Sequence, residues 1–178
     1  MLYNSHPNKT LVKHLTEVRD YSIRYVPKEY KDAYEIIALC HDFGKYTSYF
    51  QQYLKNKKKS SLSNHGFISA VFGAYLGLKH FGEGSILPLM IYNVIIHHHG
   101  SLESFSENLP TSFKNPSKES FPPNVLEKVN IGYAQIEDMK SNVDNIIVDI
   151  SKLGMKQEFI EFINTPGIIE DILCKLTI

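Results

Sequence analysis

Residues 28–45 read KEYKDAYEIIALCHDFGK. Ala33, Ile36, Ile37 and Cys40 follow the 3.6-residue period of one helix face. A helix is expected over about 28–43, and Gly44 is read as its C-terminal stop. The pair His41-Asp42 therefore falls at a helix end, with Lys45 just beyond it.

The same period extends in both directions. Upstream, Leu11, Leu15, Val18, Ser22 and Tyr25 mark a first helix, which Pro27 stops. His14 lies three residues after Leu11 and four before Val18, so it faces inward. Downstream, Thr47 is placed to cap a third helix through Leu54. A polar basic loop, Lys55 to Ser61, follows. A fourth helix is expected over about 64–81, with the small residues Ala70, Gly73, Ala74 and Gly77 at helical spacing. A fifth begins near Pro88 and is apolar on most sides to Ile96, so it is read as central. Gly100 ends it.

Residues 101–123 break the pattern with Pro110, Pro116, Pro122 and Pro123 and are read as a long loop. Helical period resumes at Val125 and runs to Leu153, with a break expected near Ile131-Gly132. Two shorter helices, about 156–163 and 168–176, complete the chain. No alternating strand pattern is found. The expected fold is all-α, a helical bundle in one domain over 1–178. Its motif-bearing core covers about 10–102, followed by the loop 101–123 and C-terminal helices over 124–178.

Composition agrees with a soluble globule. Of 178 residues 43% are hydrophobic and 21% charged, which excludes a disordered, collagen-like or coiled-coil chain. Nineteen basic residues balance nineteen acidic ones, so any nucleic-acid contact must be local rather than a global positive field. The two cysteines, Cys40 and Cys174, make neither a disulfide framework nor a zinc ribbon, and a reducing, cytoplasmic setting is expected. No signal peptide is expected from MLYNSHPNKT, and the apolar run Ile86 to Ile96 is too short to span a bilayer.

Eight histidines is a high count, and their placement is informative. His14 lies on an inward face, His41-Asp42 closes the second helix, His65 opens the fourth, and His97-His98-His99 closes the fifth. An Asp carboxylate has two oxygens and can bridge two ions, while each imidazole offers one nitrogen. The set suits a dinuclear site that generates a hydroxide nucleophile and stabilises the attacking and leaving oxygens of a phosphodiester. Nitrogen-rich ligation favours Mn, Fe, Co, Ni or Zn over an all-oxygen Mg²⁺ site, with one or two ions held. Such histidines must be neutral to bind, so activity is expected to fall as pH drops toward 6. Lys45 is placed to pair with a substrate phosphate. Ser69, one turn beyond His65, is placed to orient a ligand or phosphate. Lys57, Lys58 and Lys59 form the densest positive patch, read as a solvated loop with DNA contact as the alternative. His6 and His80 are read as surface residues, and His97 as facing solvent or standing behind the ligands.

Four stretches in order carry a resemblance: H-L-x-x-V (His14 to Val18), C-H-D-F-G-K (Cys40 to Lys45), H-G-x-x-S-A (His65 to Ala70) and I-x-H-H-G (Ile96 to Gly100). They resemble the HD superfamily of metal-dependent phosphohydrolases, and within it the HD nuclease domain of the type I CRISPR-associated helicase–nuclease. The resemblance implies a nuclease acting on single-stranded DNA in antiviral interference. Its partners would be a CRISPR helicase and the RNA-guided surveillance complex, without a membrane. It also implies His14, His41, Asp42, His65, His98 and His99 as metal ligands, with Asp42 shared between two ions. Asp42 and Lys45 would be the catalytic residues.

The chain departs from that family twice. A later Asp in a D-A-D-like helix is missing, and Asp144, Asp149 and Asp171 are candidates by position only. No GxxxxGK[ST] phosphate loop is present, so the helicase is a separate chain or a removed part. Two other readings stay open. One is an HD phosphohydrolase of nucleotides or cyclic dinucleotides, the latter disfavoured because Gly100-Ser101-Leu102 follows the paired histidines. The other is a truncated, inactive HD module that docks partners.

Overall fold

The computed structural model of the chain describes residues 2–100 and 121–176. Most of the expected loop 101–123, with Pro110 and Pro116, lies outside the described residues. The bundle is all-α. Its helices are α1 (Leu11–Ser22), α2 (Lys31–Cys40), α3 (Ser48–Asn56), α4 (Gly66–Phe81), α5 (Leu87–Ile96), α6 (Pro123–Ser141), α7 (Val143–Lys152), α8 (Lys156–Asn164) and α9 (Ile168–Leu176). Two short strands precede them. β1 (Asn4–His6) pairs antiparallel with β2 (Lys9–Thr10), in the register Asn4 to Thr10 and His6 to Lys9. Five residues are too few to show alternation, so this hairpin left no readable trace in the sequence.

Helix boundaries follow local chemistry. Thr10 caps α1 by accepting from the Lys13 N–H at 3.4 Å, and Thr47 caps α3 by accepting from Phe50 at 3.2 Å. α1 ends at Ser22, short of Tyr25, which is exposed. α2 ends at Cys40 rather than Phe43: Asp42 leaves the helical region (φ −112°, ψ 13°) and Phe43–Tyr46 form a single 3-10 turn. Pro122 and Pro123 sit at the start of α6, where a missing N–H costs nothing.

The helix break expected near Gly132 is at Asn142 instead. Gly132 lies inside α6, where a Cβ would come within 2.8 Å of Ile169 Cδ1 and 3.3 Å of Phe67. It is a packing glycine, not a breaker.

α4 is the central helix, a place the sequence reading gave to α5. Every residue from Phe67 to Gly77 is buried, and α2, α5, α6, α8, α9 and the 3-10 turn all pack on it. α5 leaves Met90 exposed. Gly73 and Gly77 let α5 approach: a Cβ at Gly73 would meet Ile95 Cδ1 at 2.4 Å, and one at Gly77 would meet Pro88 Cα at 3.2 Å. One hydrophobic cluster runs from Tyr3 on β1 to Leu176 on α9, so the helices share a single core. Among the described residues no helix is long and apolar enough to cross a membrane. Cys40 and Cys174 are not joined in a disulfide; Cys40 is buried and Cys174 half-buried.

Candidate metal centre

The turn after α2 is anchored from beneath. Phe43 is fully buried and stacks on Phe72 of α4 with centroids 4.0 Å apart. The Gly44 N–H donates to Ser69 Oγ at 2.8 Å. A Cβ at Gly44 would sit 2.7 Å from the His65 carbonyl oxygen and 2.6 Å from Ile68 Cγ2. Only glycine lets the turn come this close to the start of α4. That contact sets Asp42 beside His65.

Asp42 is the hub. Its Oδ2 lies 3.1 Å from His14 Nε2 and 3.5 Å from His41 Nε2. Its Oδ1 lies 3.1 Å from His65 Nε2 and 3.4 Å from His98 Nε2. His14 and His41 bring their Nε2 atoms within 3.2 Å, and His65 and His99 within 3.0 Å. Two groups result, His14–His41–Asp42 and Asp42–His65–His98–His99, each with all its donor atoms within 4.8 Å of one another. α1 supplies His14, the end of α2 supplies His41 and Asp42, the cap of α4 supplies His65, and the turn after α5 supplies His98 and His99.

The donor set fits metal ions. His41 Nδ1 donates to the Ala38 carbonyl at 2.8 Å, and His98 Nδ1 to the Ile95 carbonyl at 2.6 Å. With the proton on Nδ1, a neutral ring presents a bare Nε2 lone pair, the tautomer and backbone support typical of ligating histidines. These lone pairs face carboxylate oxygens, acceptor against acceptor. Buried Asp42 Oδ1 and His98 Nε2 have no hydrogen-bond partner among the described residues. A cation between them satisfies both. The spacings agree: two ligands about 2.1 Å from one ion lie about 3.0–3.4 Å apart at octahedral or tetrahedral angles.

Electrostatics point the same way. Burial is the largest influence on Asp42 and would raise its carboxyl. The neighbouring imidazoles, His14 first and then His65, His98 and His41, outweigh burial and hold it well below the usual carboxylate range. Burial pulls His41 down to about 4, against the opposing pull of Asp42. His99 is also lowered to about 4, by burial and then by His98 and His65, and burial lowers His65. An ionised carboxylate thus stands beside His41, His65 and His99, whose burial favours the neutral ring.

The remaining expected residues are placed as follows. Lys45 is buried, and its ammonium donates to Asp42 Oδ2 at 2.7 Å, with the Phe50 ring 5.1 Å from Nζ. Ser69 Oγ accepts from the Gly44 N–H, so it positions the turn. Lys57, Lys58 and Lys59 are exposed and belong to neither ligand group. Asp144, Asp149 and Asp171 also belong to neither group. Asp149 pairs with Lys152 at 3.2 Å, Asp171 with Lys175 at 3.0 Å, and Asp144 is exposed. His80 is a surface residue paired with Asp32 at 3.0 Å. His6 is exposed, yet its ring meets that of His14 with centroids 5.3 Å apart. Sequence reading missed this neighbour, because only the unseen hairpin brings it there.

Comparison with family models, curated proteins and solved structures gives no match to this chain.

Proposed function

We propose that the chain is a metal-dependent nuclease that hydrolyses phosphodiester bonds of single-stranded DNA. The observation that carries the reading is the division of Asp42: Oδ2 faces His14 and His41, while Oδ1 faces His65 and His98. One carboxylate thus serves two groups of imidazoles, the arrangement a two-ion hydrolytic site needs. Divalent ions held there would activate water and offset charge on the phosphoryl oxygens. Nitrogen-rich groups favour Mn, Fe, Co, Ni or Zn over Mg.

The chain's own residues do the rest. Asp42 and the histidines bind, and the Ala38 and Ile95 carbonyls fix two of the rings. Lys45 holds a positive charge against Asp42 Oδ2, where it is available to the developing negative charge of a phosphoryl group. The four motifs that resemble the HD nuclease domain support a role in CRISPR interference in the cytoplasm, with a helicase partner and the RNA-guided surveillance complex delivering the strand. The balanced net charge suits such delivery, since it gives the free domain little pull on DNA.

The test is chelator-stripped protein with circular single-stranded DNA and added Mn²⁺, Co²⁺ or Ni²⁺, beside Asp42→Ala. Metal-dependent cutting that the variant loses supports the reading and demonstrates endonucleolytic ability. No cutting with any metal, together with turnover of a mononucleotide, would replace DNA by a small nucleotide as substrate. No turnover of either, with no metal retained, would make the chain an inactive docking module.

A further inference from the structure

One imidazole outside both ligand groups borders the site. His6 closes β1, and its ring meets His14 edge-on at 81°. The two ring centroids are 5.3 Å apart, and Lys9 sits across the hairpin from His6. It is not a ligand, because it belongs to neither group of atoms within 4.8 Å of one another. Ligands of one ion lie closer than about 4.2 Å.

The tautomer of His6 follows from its neighbour. Ser5 Oγ lies 3.2 Å from the Lys9 carbonyl oxygen. A carbonyl can only accept, so the hydroxyl proton lies on that contact. His6 Nδ1 lies 3.1 Å from the same Oγ and must therefore donate to it. The neutral ring then carries its proton on Nδ1 and a bare lone pair on Nε2.

The hairpin that carries His6 is tied to the turn that carries Asp42. Gln51, buried on α3, accepts from the Asn4 N–H at 3.1 Å and donates to the Asn4 carbonyl at 2.9 Å. The same amide nitrogen donates to the Lys45 carbonyl at 2.8 Å. One side chain thus sets the height of the hairpin against the site.

We propose that His6 is a positioning residue: its Nε2 lone pair accepts a hydrogen bond from the attacking water on the His14 side of the site and aims that water at phosphorus. The inference rests on the phosphodiesterase reading. A bare lone pair does not suit the substrate phosphate, whose oxygens are themselves acceptors, but it does suit a water that must point its oxygen elsewhere.

The test uses the full chain as wild type, His6→Ala, His6→Asn and His6→Gln. A Gln amide reaches the Nε2 position with an acceptor oxygen, whereas Asn reaches only the Nδ1 position. Each protein is loaded with Mn²⁺ and read in two ways, by kcat and KM on circular single-stranded DNA and, without DNA, by the relaxation of water protons. His6→Ala and His6→Asn are expected to lose about tenfold in kcat, the worth of one hydrogen bond, with KM within about twofold. His6→Gln is expected to restore most of it. Mn²⁺ affinity is expected to be equal in all four proteins. Water relaxation is expected to depart from wild type in the Ala and Asn variants and return in Gln. Equal behaviour of Asn and Gln would overturn the proposal, and so would a fall in Mn²⁺ affinity in His6→Ala, which would make His6 a ligand. If wild type binds Mn²⁺ but cuts no DNA, the nuclease reading fails, while the relaxation series still decides whether His6 holds a water.

Discussion

Lys45 and Asp42 form a buried ion pair, with Nζ 2.7 Å from Oδ2, inside the turn that also carries His41. The shared carboxylate therefore has a permanent cation of its own, which balances part of its charge when no metal is bound. Removing one partner of a buried pair leaves the other uncompensated, and the consequence depends on what else can compensate it.

Lys45→Met is expected to destabilise the chelated protein by about 3 kcal/mol, or roughly 6–12 °C in Tm for a domain this size. Added Mn²⁺ should recover more of that loss in the variant than it adds to wild type, because the ions take over part of the charge balance. Thermal melts with and without metal read both effects. An equal metal-induced rise in the two proteins would show that Lys45 and the ions act on Asp42 independently.

Gly44→Ala and Ser69→Ala probe the contact between the turn and α4. Ser69→Ala leaves the Gly44 N–H buried and unpaired, which costs about 1–3 kcal/mol. Gly44→Ala forces a Cβ into the His65 backbone, which overpacks the site by about 1–3 kcal/mol and pushes His65 from Asp42. The two variants should be comparably unstable, but Gly44→Ala should lose far more metal affinity. Calorimetric titration of Mn²⁺ into both variants tests this.

Stability of the chelated protein should fall as pH drops from about 6.5 to about 4. His41 has a folded value of about 4 against an ordinary 6.5, so in that window the unfolded chain binds the extra proton. Its contribution, on the order of 3 kcal/mol, is present above pH 6.5 and lost by pH 4. His99, lowered in the same direction, adds to the fall. Denaturant midpoints at pH 7, 5.5 and 4.5 measure it, and a flat profile would refute it. The sequence alone placed the loss of metal-dependent activity near pH 6. Burial of His41, His65 and His99 moves their part in that loss lower.

Metal stoichiometry should separate the two groups. His99→Ala removes a donor from the Oδ1 side only and should leave the ion held by His14, His41 and Asp42 in place. Asp42→Asn removes the charge both groups share and should abolish both sites. Elemental analysis after gel filtration should give fewer ions in the first variant and none in the second. Equal loss in both would show a single ion.

Much of this was legible in the sequence because helical period and chain-local stops carry it. The stripe Ala33 to Cys40 gave α2, Pro27 bounded the chain before it, and the histidines stood out because they gathered at helix ends. Gly132 was misread because a glycine that admits Ile169 looks, in sequence, like one that ends a helix. α5 was taken as central because its composition is apolar, whereas burial depends on how many helices surround an element, and α4 has more of them. Lys45 was read as a partner for a substrate phosphate, but its contact with Asp42 depends on the 3-10 turn that folds it back, which the sequence did not reveal.

The sequence by itself determined the all-α class, the elements that carry the chemistry and the identity of the residues gathered there, since periodicity and stop residues act over a few positions of chain. The tertiary structure alone decided which Asp42 oxygen faces which histidines, that Lys45 pairs with that carboxylate, that Asp144, Asp149 and Asp171 stand apart, and that the His6 ring meets His14. Those relations join residues up to 57 positions apart, as between Asp42 and His99. They are fixed by helix packing at glycines 44, 73 and 77 and by the one amide of Gln51, contacts that no local pattern encodes.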